Sequence, residues 1–171
     1  MEYNEIYLLG DSLSAGIGHK DVITWPTRVN KTNRLKIIDL SKGGSRVKDG
    51  LKMVPKIENK NRPILIALGG NDWRFGKFNN IKDYQNGLER LLSSLCIGRR
   101  TVIMFEIPFP PLEYQLLKSQ RDLIRKYNVK MIPKRFLSDV LFIDPNATVD
   151  GLHLSNIGHE RFAEKLISIL S

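Results

Sequence analysis

Five short runs of almost unbroken apolar residues recur along the chain: "IYLL" at 6–9, "LKIIDL" at 35–40, "ILIAL" at 64–68, "TVIMFEI" at 101–107 and "VLFID" at 140–144. A strand with one face in water alternates apolar and polar residues; these runs do not alternate. They read as strands covered on both faces, the condition of a parallel sheet. Helical spacing fills the intervals. Val47, Leu51 and Val54 repeat on one face, and Tyr84, Leu88, Leu91, Leu92 and Leu95 form a stripe with Asn80 as its N-cap. Leu116, Leu123, Ile124 and Tyr127 mark a further helix; Phe162, Leu166 and Leu170 mark a last one that starts near Ser155 or Asn156. Strands alternating with helices require right-handed crossovers, so a doubly wound α/β sandwich is expected.

The 171 residues suit one domain, 1–171, and a 42% apolar content is enough for one core. No apolar run approaches the roughly 20 residues of a membrane-spanning helix, and the first ten residues lack the basic region of a signal peptide. Cys96 is the single cysteine, so no internal disulfide can form. Cytoplasmic residence without membrane insertion is the expectation; oligomeric state is not readable. The net charge of +9 comes from Lys and Arg scattered along the chain (Lys48, Lys52, Lys56, Lys60, Arg99, Arg100, Lys134, Arg135). That dispersion reads as a solvated surface, not a nucleic-acid-binding tail.

In doubly wound folds, ligands bind beyond the carboxyl ends of the strands, and the chemically able residues fall there. Gly10-Asp11-Ser12 follows the first run, Ser41 to Ser45 ("SKGGS") the second, and Gly69-Gly70-Asn71-Asp72 the third; Asp150-Gly151-Leu152-His153 comes after the last. Acyl transfer asks for this set. A serine hydroxyl becomes a nucleophile when a neighbouring base takes its proton, and His153 can serve Ser12 in that way. A carboxylate on the far ring nitrogen fixes the tautomer and stabilises the imidazolium; Asp150, three residues earlier, can supply it. The tetrahedral oxyanion needs preorganised donors. The Ser12 N–H, the Asn71 amide and the N–H of Gly44, where no Cβ obstructs a ligand, are the candidates.

Taken in order, "GDSLSAG", "GGS", "GGND" and "DGLHLS" resemble the four blocks of the GDSL, or SGNH, hydrolases, from Gly10 to the C-terminal helix. The wording of the blocks looks most like the small bacterial thioesterase/lysophospholipase/arylesterase-like esterases. The resemblance implies a three-layer α/β/α sandwich, flavodoxin-like, with a five-stranded parallel sheet in the order 2-1-3-4-5. It implies a serine hydrolase cleaving carboxylic esters or thioesters, short acyl or acetyl groups among them, through an acyl-enzyme, with no cofactor and no metal. The family's nucleophile falls on Ser12, its oxyanion glycine on Gly44 with Gly43 the neighbouring alternative, its oxyanion asparagine on Asn71, and its Asp and His on Asp150 and His153. Two positions depart. Asp39 stands where asparagine is common, five residues before Gly44, and Leu154 follows His153 where the thioesterases often have proline.

Each residue also has a plainer reading. Ser12 can cap a helix, and Asn71 can serve a turn. Asp139 and Asp144 are other carboxylates near His153. Of the other histidines, His19 is placed to border the site, and His159 is expected at the surface or in packing. Asp11 and Asp72 are expected to brace their own loops. A substrate pocket is expected from Asp11, Leu13, Trp73, Arg74 and Phe75, together with Ile107, Phe109 and Leu112 of the proline-rich segment after the fourth strand. The expected partner is a small-molecule acyl ester or thioester. Two other functions fit the same fold. A flavodoxin-like module could hold a phosphate or cofactor at "SLSAG", which leaves Asn71 and the Asp150–His153 pair without a task. A catalytically silent binding protein on the same scaffold is the other.

Overall fold

The computed structural model describes residues 3–17, 21–74 and 81–170. In chain order the elements are β1 (Glu5–Gly10), α1 (Ser12–Ala15), α2 (Trp25–Lys31), β2 (Lys36–Asp39), α3 (Val47–Gly50), β3 (Ile64–Ala67), α4 (Gly70–Arg74), α5 (Ile81–Leu95), β4 (Val102–Phe105), α6 (Tyr114–Lys126), β5 (Lys130–Ile132), α7 (Arg135–Phe142) and α8 (Asn156–Leu170). The sheet has five strands in the order β2-β1-β3-β4-β5, all neighbours parallel. This is the expected flavodoxin-like arrangement. Its central strands are covered on both faces: Ile6, Leu8, Leu9, Ile64, Leu65, Ile66, Met104 and Phe105 are fully buried. That double burial is why these segments read as continuous apolar runs. The helices α2, α7 and α8 pack together as one layer, and α3, α5 and α6 as the other. The chain runs from β1 outward to β2, then returns past β1 to β3. Gly10 pairs with Ala67 at that switch point, which opens a crevice at the carboxyl ends of the two strands.

Sequence and structure part at the last strand. "VLFID" is not a strand: Val140, Leu141 and Phe142 end α7, and Ile143 and Asp144 follow it. Phe136, Leu137, Val140 and Leu141 are the buried residues of this helix, at one-turn spacing. The fifth strand is instead "KMI", 130–132, whose Lys130 and Met131 are exposed. An edge strand meets water along one side and carries no apolar run to announce it. The Val47–Val54 pattern is also interrupted. Only Val47–Gly50 is α-helical, and Val54–Lys56 forms a separate 3-10 turn around Pro55. Helix α2 carried no expectation. The stripe of α5 is buried as expected; Asn80, its expected cap, lies outside the described residues. Ser155 precedes α8, and its Oγ accepts the Gly158 N–H at 3.2 Å. No described helix is long and apolar enough to cross a membrane.

Candidate active site

Beyond β1 the chain turns sharply. Asp11 is the N-cap of α1, its Oδ1 accepting the Leu13 N–H at 3.0 Å. Ser12 opens the helix, and the Gly16 N–H closes it by donating to the Ser12 carbonyl. Trp25, fully buried in α2, braces this turn from behind. Its indole N–H donates to the Leu13 carbonyl at 3.1 Å, and its ring stacks on Phe162 of α8 with centroids 4.4 Å apart. Its backbone N–H donates to His159 Nδ1 at 3.1 Å. His159 is thus a buried packing group; burial, with the nearby Arg28 charge, pushes its pKa down to about 4 and keeps the ring neutral.

The loops after β2 and β3 are strapped to each other and to Asp11. Asn71 Nδ2 donates to the Ser45 carbonyl at 2.9 Å and to Asp11 Oδ2 at 3.3 Å. The Val47 N–H donates to Asp72 Oδ2 at 3.0 Å. Asp11 braces its own loop, as expected; Asp72 instead braces the segment after β2, through Val47, and not its own turn. Burial pushes the pKa of each up to about 6, against the backbone donors that favour the charged forms. Gly44, one residue before Ser45, is in the left-handed region, φ 73°, with open space where a Cβ would be. At Gly43 that space is filled by Ile17. Among the described residues, the N–H groups of Ser12 and Gly44 meet no acceptor.

Asp150 and His153 share a tight hairpin. Thr148 bridges to Leu154, and the Val149 N–H donates to the His153 carbonyl at 2.8 Å. Gly151 turns the chain at φ 79°. Asp150 Oδ1 accepts the N–H groups of Leu152 and His153 at 3.0 and 2.7 Å, while Oδ2 lies 2.7 Å from His153 Nδ1. The His153 N–H first, and then its ring, hold the Asp150 carboxyl far below the usual carboxylate range. Leu152, between them in the hairpin, lines the same cleft as Ser12 and Asn71. The other carboxylates are engaged elsewhere: Asp144 with Arg161, and Asp139 with Lys165. His19 lies outside the described residues.

A cleft of about 880 Å³, open to solvent, runs from Ser12 and Asn71 into the apolar interior. Of the residues named above for a pocket, Asp11, Leu13, Trp73 and Ile107 line it. Gln120 on α6, fully buried, fixes the Ile107 segment by accepting the Ile107 N–H at 3.1 Å and donating to the Phe105 carbonyl at 3.0 Å. Phe109 is not in the wall; it packs edge-on against Tyr84 with centroids 5.9 Å apart. Leu112 is 97% exposed. Arg74 ends α4 and its side chain, like the whole of Phe75, lies outside the described residues. The opposite wall went unanticipated: Leu137, Leu141 and Phe142 of α7, with Leu152 and Phe162. The helical spacing from Phe136 to Leu141 was the available signal, hidden once that stretch was read as a strand. Among the described residues, no three His, Cys, Asp or Glu side chains gather as a metal-holding group.

Residues 8–161 match the family described as the GDSL-like Lipase/Acylhydrolase family. The chain is similar to "Thioesterase 1/protease 1/lysophospholipase L1" of Escherichia coli K12, at 24% identity over 86% of this chain and 74% of the relative. Among solved structures it is similar to the psychrotrophic esterase EstA from Pseudoalteromonas sp. (TM-score 0.82, 21% identity, 96% of this chain and 95% of that one). It is also similar to Axe2, an acetylxylan esterase from Geobacillus stearothermophilus (TM-score 0.71, 16% identity, 98% and 95%). At these identities the two structures speak for the fold alone, while the family match spans nearly the whole of this chain, including every block from "GDSLSAG" to "DGLHLS". The chain belongs to the GDSL-like lipase/acylhydrolase family and is a carboxylic ester hydrolase.

Proposed function

We propose that Ser12 is the nucleophile of this hydrolase, with His153 as its base and Asp150 as the group that orients the base. The observation that carries this reading is the 2.7 Å contact between Asp150 Oδ2 and His153 Nδ1, in a hairpin whose Leu152 lines the same cleft as Ser12. An ionised Asp150 accepts the Nδ1–H, which leaves Nε2 unprotonated to take the Ser12 hydroxyl proton. The Ser12 oxygen then adds to the substrate carbonyl. The N–H groups of Ser12 and Gly44 and the amide of Asn71 receive the oxyanion. Collapse of the intermediate, with the proton passing from His153 to the leaving alcohol or thiol, gives the acyl-enzyme. Water, deprotonated by the same imidazole, repeats the sequence and frees the acid.

The cleft supports an apolar acyl chain longer than acetyl, because its polar groups stand at the Ser12 end and the rest of its wall is aliphatic or aromatic. The same apolar wall argues against a phosphate-holding module. The test is a series of p-nitrophenyl esters from acetate to dodecanoate, run beside the matching acyl thioesters. The expected outcome is a kcat/KM that rises with chain length to a maximum beyond acetate. Ser12→Ala and His153→Ala should each lower kcat by at least about 1000-fold, and Asn71→Ala by roughly 100-fold or more. A Ser12→Ala variant as active as the wild type would overturn the mechanism. A rate that is highest on acetate would overturn the chain-length reading alone.

A further inference from the structure

The geometry points to Asp11 as a positioning residue that selects which end of the Asn71 amide faces the oxyanion. The inference rests on the assignment of Asn71 to the oxyanion hole. A primary amide has a donor end and an acceptor end of nearly the same shape, so a loop alone does not decide which one it presents. Here two acceptors decide it. The Ser45 carbonyl takes one Nδ2 hydrogen at 2.9 Å and Asp11 Oδ2 takes the other at 3.3 Å. Both side chains are buried, Asp11 at 5% and Asn71 at 6% exposure, so water does not compensate a flipped amide. A flip would set the Asn71 oxygen against a carbonyl and a carboxylate, with no hydrogen between them. Asp11 is itself pinned, because its other oxygen caps α1 through the Leu13 N–H at 3.0 Å. The residue beside the nucleophile thus aligns the helix that carries Ser12 and the amide that would face its product.

The two bonds to Asn71 are unequal, and this sets the order of events. Both Nδ2 hydrogens are engaged at rest, so donation to an oxyanion draws on one of them. The longer bond, to Asp11, is the one that yields. Asp11 therefore holds the hydrogen in readiness and shares it as charge develops on the substrate oxygen, while the Ser45 bond keeps the amide plane fixed.

Asp11→Asn tests this. Asparagine caps a helix about as well as aspartate, so its oxygen keeps the Leu13 N–H and its own NH2 group then confronts the Asn71 NH2 group. Asn71 then either flips, setting its oxygen against the Ser45 carbonyl, or tilts away from the new NH2 group, and in both arrangements its donor leaves the place where the oxyanion needs it. The expected result is a fall in kcat of roughly 100-fold with KM changed little, since the donor is lost chiefly in the transition state. The decisive measurement is the double variant Asp11→Asn/Asn71→Ala: with the amide gone, Asp11→Asn should cost no further kcat beyond Asn71→Ala alone. Equal and independent losses in the two backgrounds would overturn the assignment, as would a wild-type kcat for Asp11→Asn beside an impaired Asn71→Ala. If Asn71→Ala alone keeps wild-type kcat, the oxyanion role of Asn71 itself falls, and the role of Asp11 with it. Matching thermal melts of the single variants separate either result from misfolding.

Discussion

Asp150 engages three donors with two oxygens, and the division of labour between those oxygens is what a single-atom change can probe. One oxygen accepts the N–H groups of Leu152 and His153 and so shapes the hairpin; the other faces the ring. In Asp150→Asn the remaining oxygen can keep the backbone pair, and the new NH2 group meets Nδ1. That nitrogen must then be the acceptor, which moves the ring proton to Nε2, the position that in the proposed mechanism receives the Ser12 proton. We expect kcat to fall by about 1000-fold or more, with the melting temperature nearly unchanged because the Asp150 side chain is 47% exposed. Steady-state kinetics and a thermal melt of the same sample check both halves. A small loss of kcat would mean that the carboxylate is not what orients the base.

At the scale of elements, α7 supplies the apolar wall on which the proposed choice of acyl chain depends. Leu137 and Leu141 point from it into the cleft while Phe136 packs on Phe105 and Phe162, so the helix is both core and wall. Leu141→Phe fills space in the cleft at an overpacking cost of about 1–3 kcal/mol. The expected outcome is a kcat/KM maximum shifted to shorter esters, with the acetate rate largely kept; an unshifted maximum would remove α7 from the specificity wall. This is also where the sequence was least legible. The central strands could be read because burial on both faces leaves no charged residue in their buried stretches, and the α5 stripe because one buried face imposes its period. The blocks at the strand ends could be read because their candidate catalytic groups answer to chemistry and not to packing. β5 could not, since two of its three residues, Lys130 and Met131, are exposed at the sheet edge. Its neighbour α7, apolar enough to resemble a buried strand, took its place. Trp25 escaped notice for a related reason: its contacts with Leu13, His159 and Phe162 link segments distant in sequence, and no local pattern records them.

For the whole molecule, charge and stability are tied to pH through a few buried groups and not through the net +9. Part of that positive surface answers the fold itself: Arg99, Arg100 and Lys130 border the cavity where α5 and α6 end, and cations suit the negative ends of helices. The buried titratable groups pull in opposite directions. His159 has a folded pKa of about 4 against about 6.5 when unfolded. The unfolded chain therefore binds more protons between these values, and the stabilisation from neutral His159, complete above pH 6.5, is lost as pH falls toward 4. Asp11 and Asp72, raised to about 6, have the reverse effect: their folded forms bind more protons between about 4 and 6, so acidification through that window favours the fold. The lowered Asp150 loses its contribution only below the usual carboxylate range. The wild-type stability curve should thus be flattened by compensation across the acidic window, and the histidine part emerges only by difference. In His159→Gln the acceptor for the Trp25 N–H can be kept while the titration is removed. We expect the wild type to exceed the variant in urea midpoint by more at pH 7 than at pH 5, since only the wild type carries a group that must stay unprotonated to accept that bond. A gap of the same size at both values would show that His159 does not couple protonation to folding, and that the join between α2 and α8 depends on the shape of the ring alone.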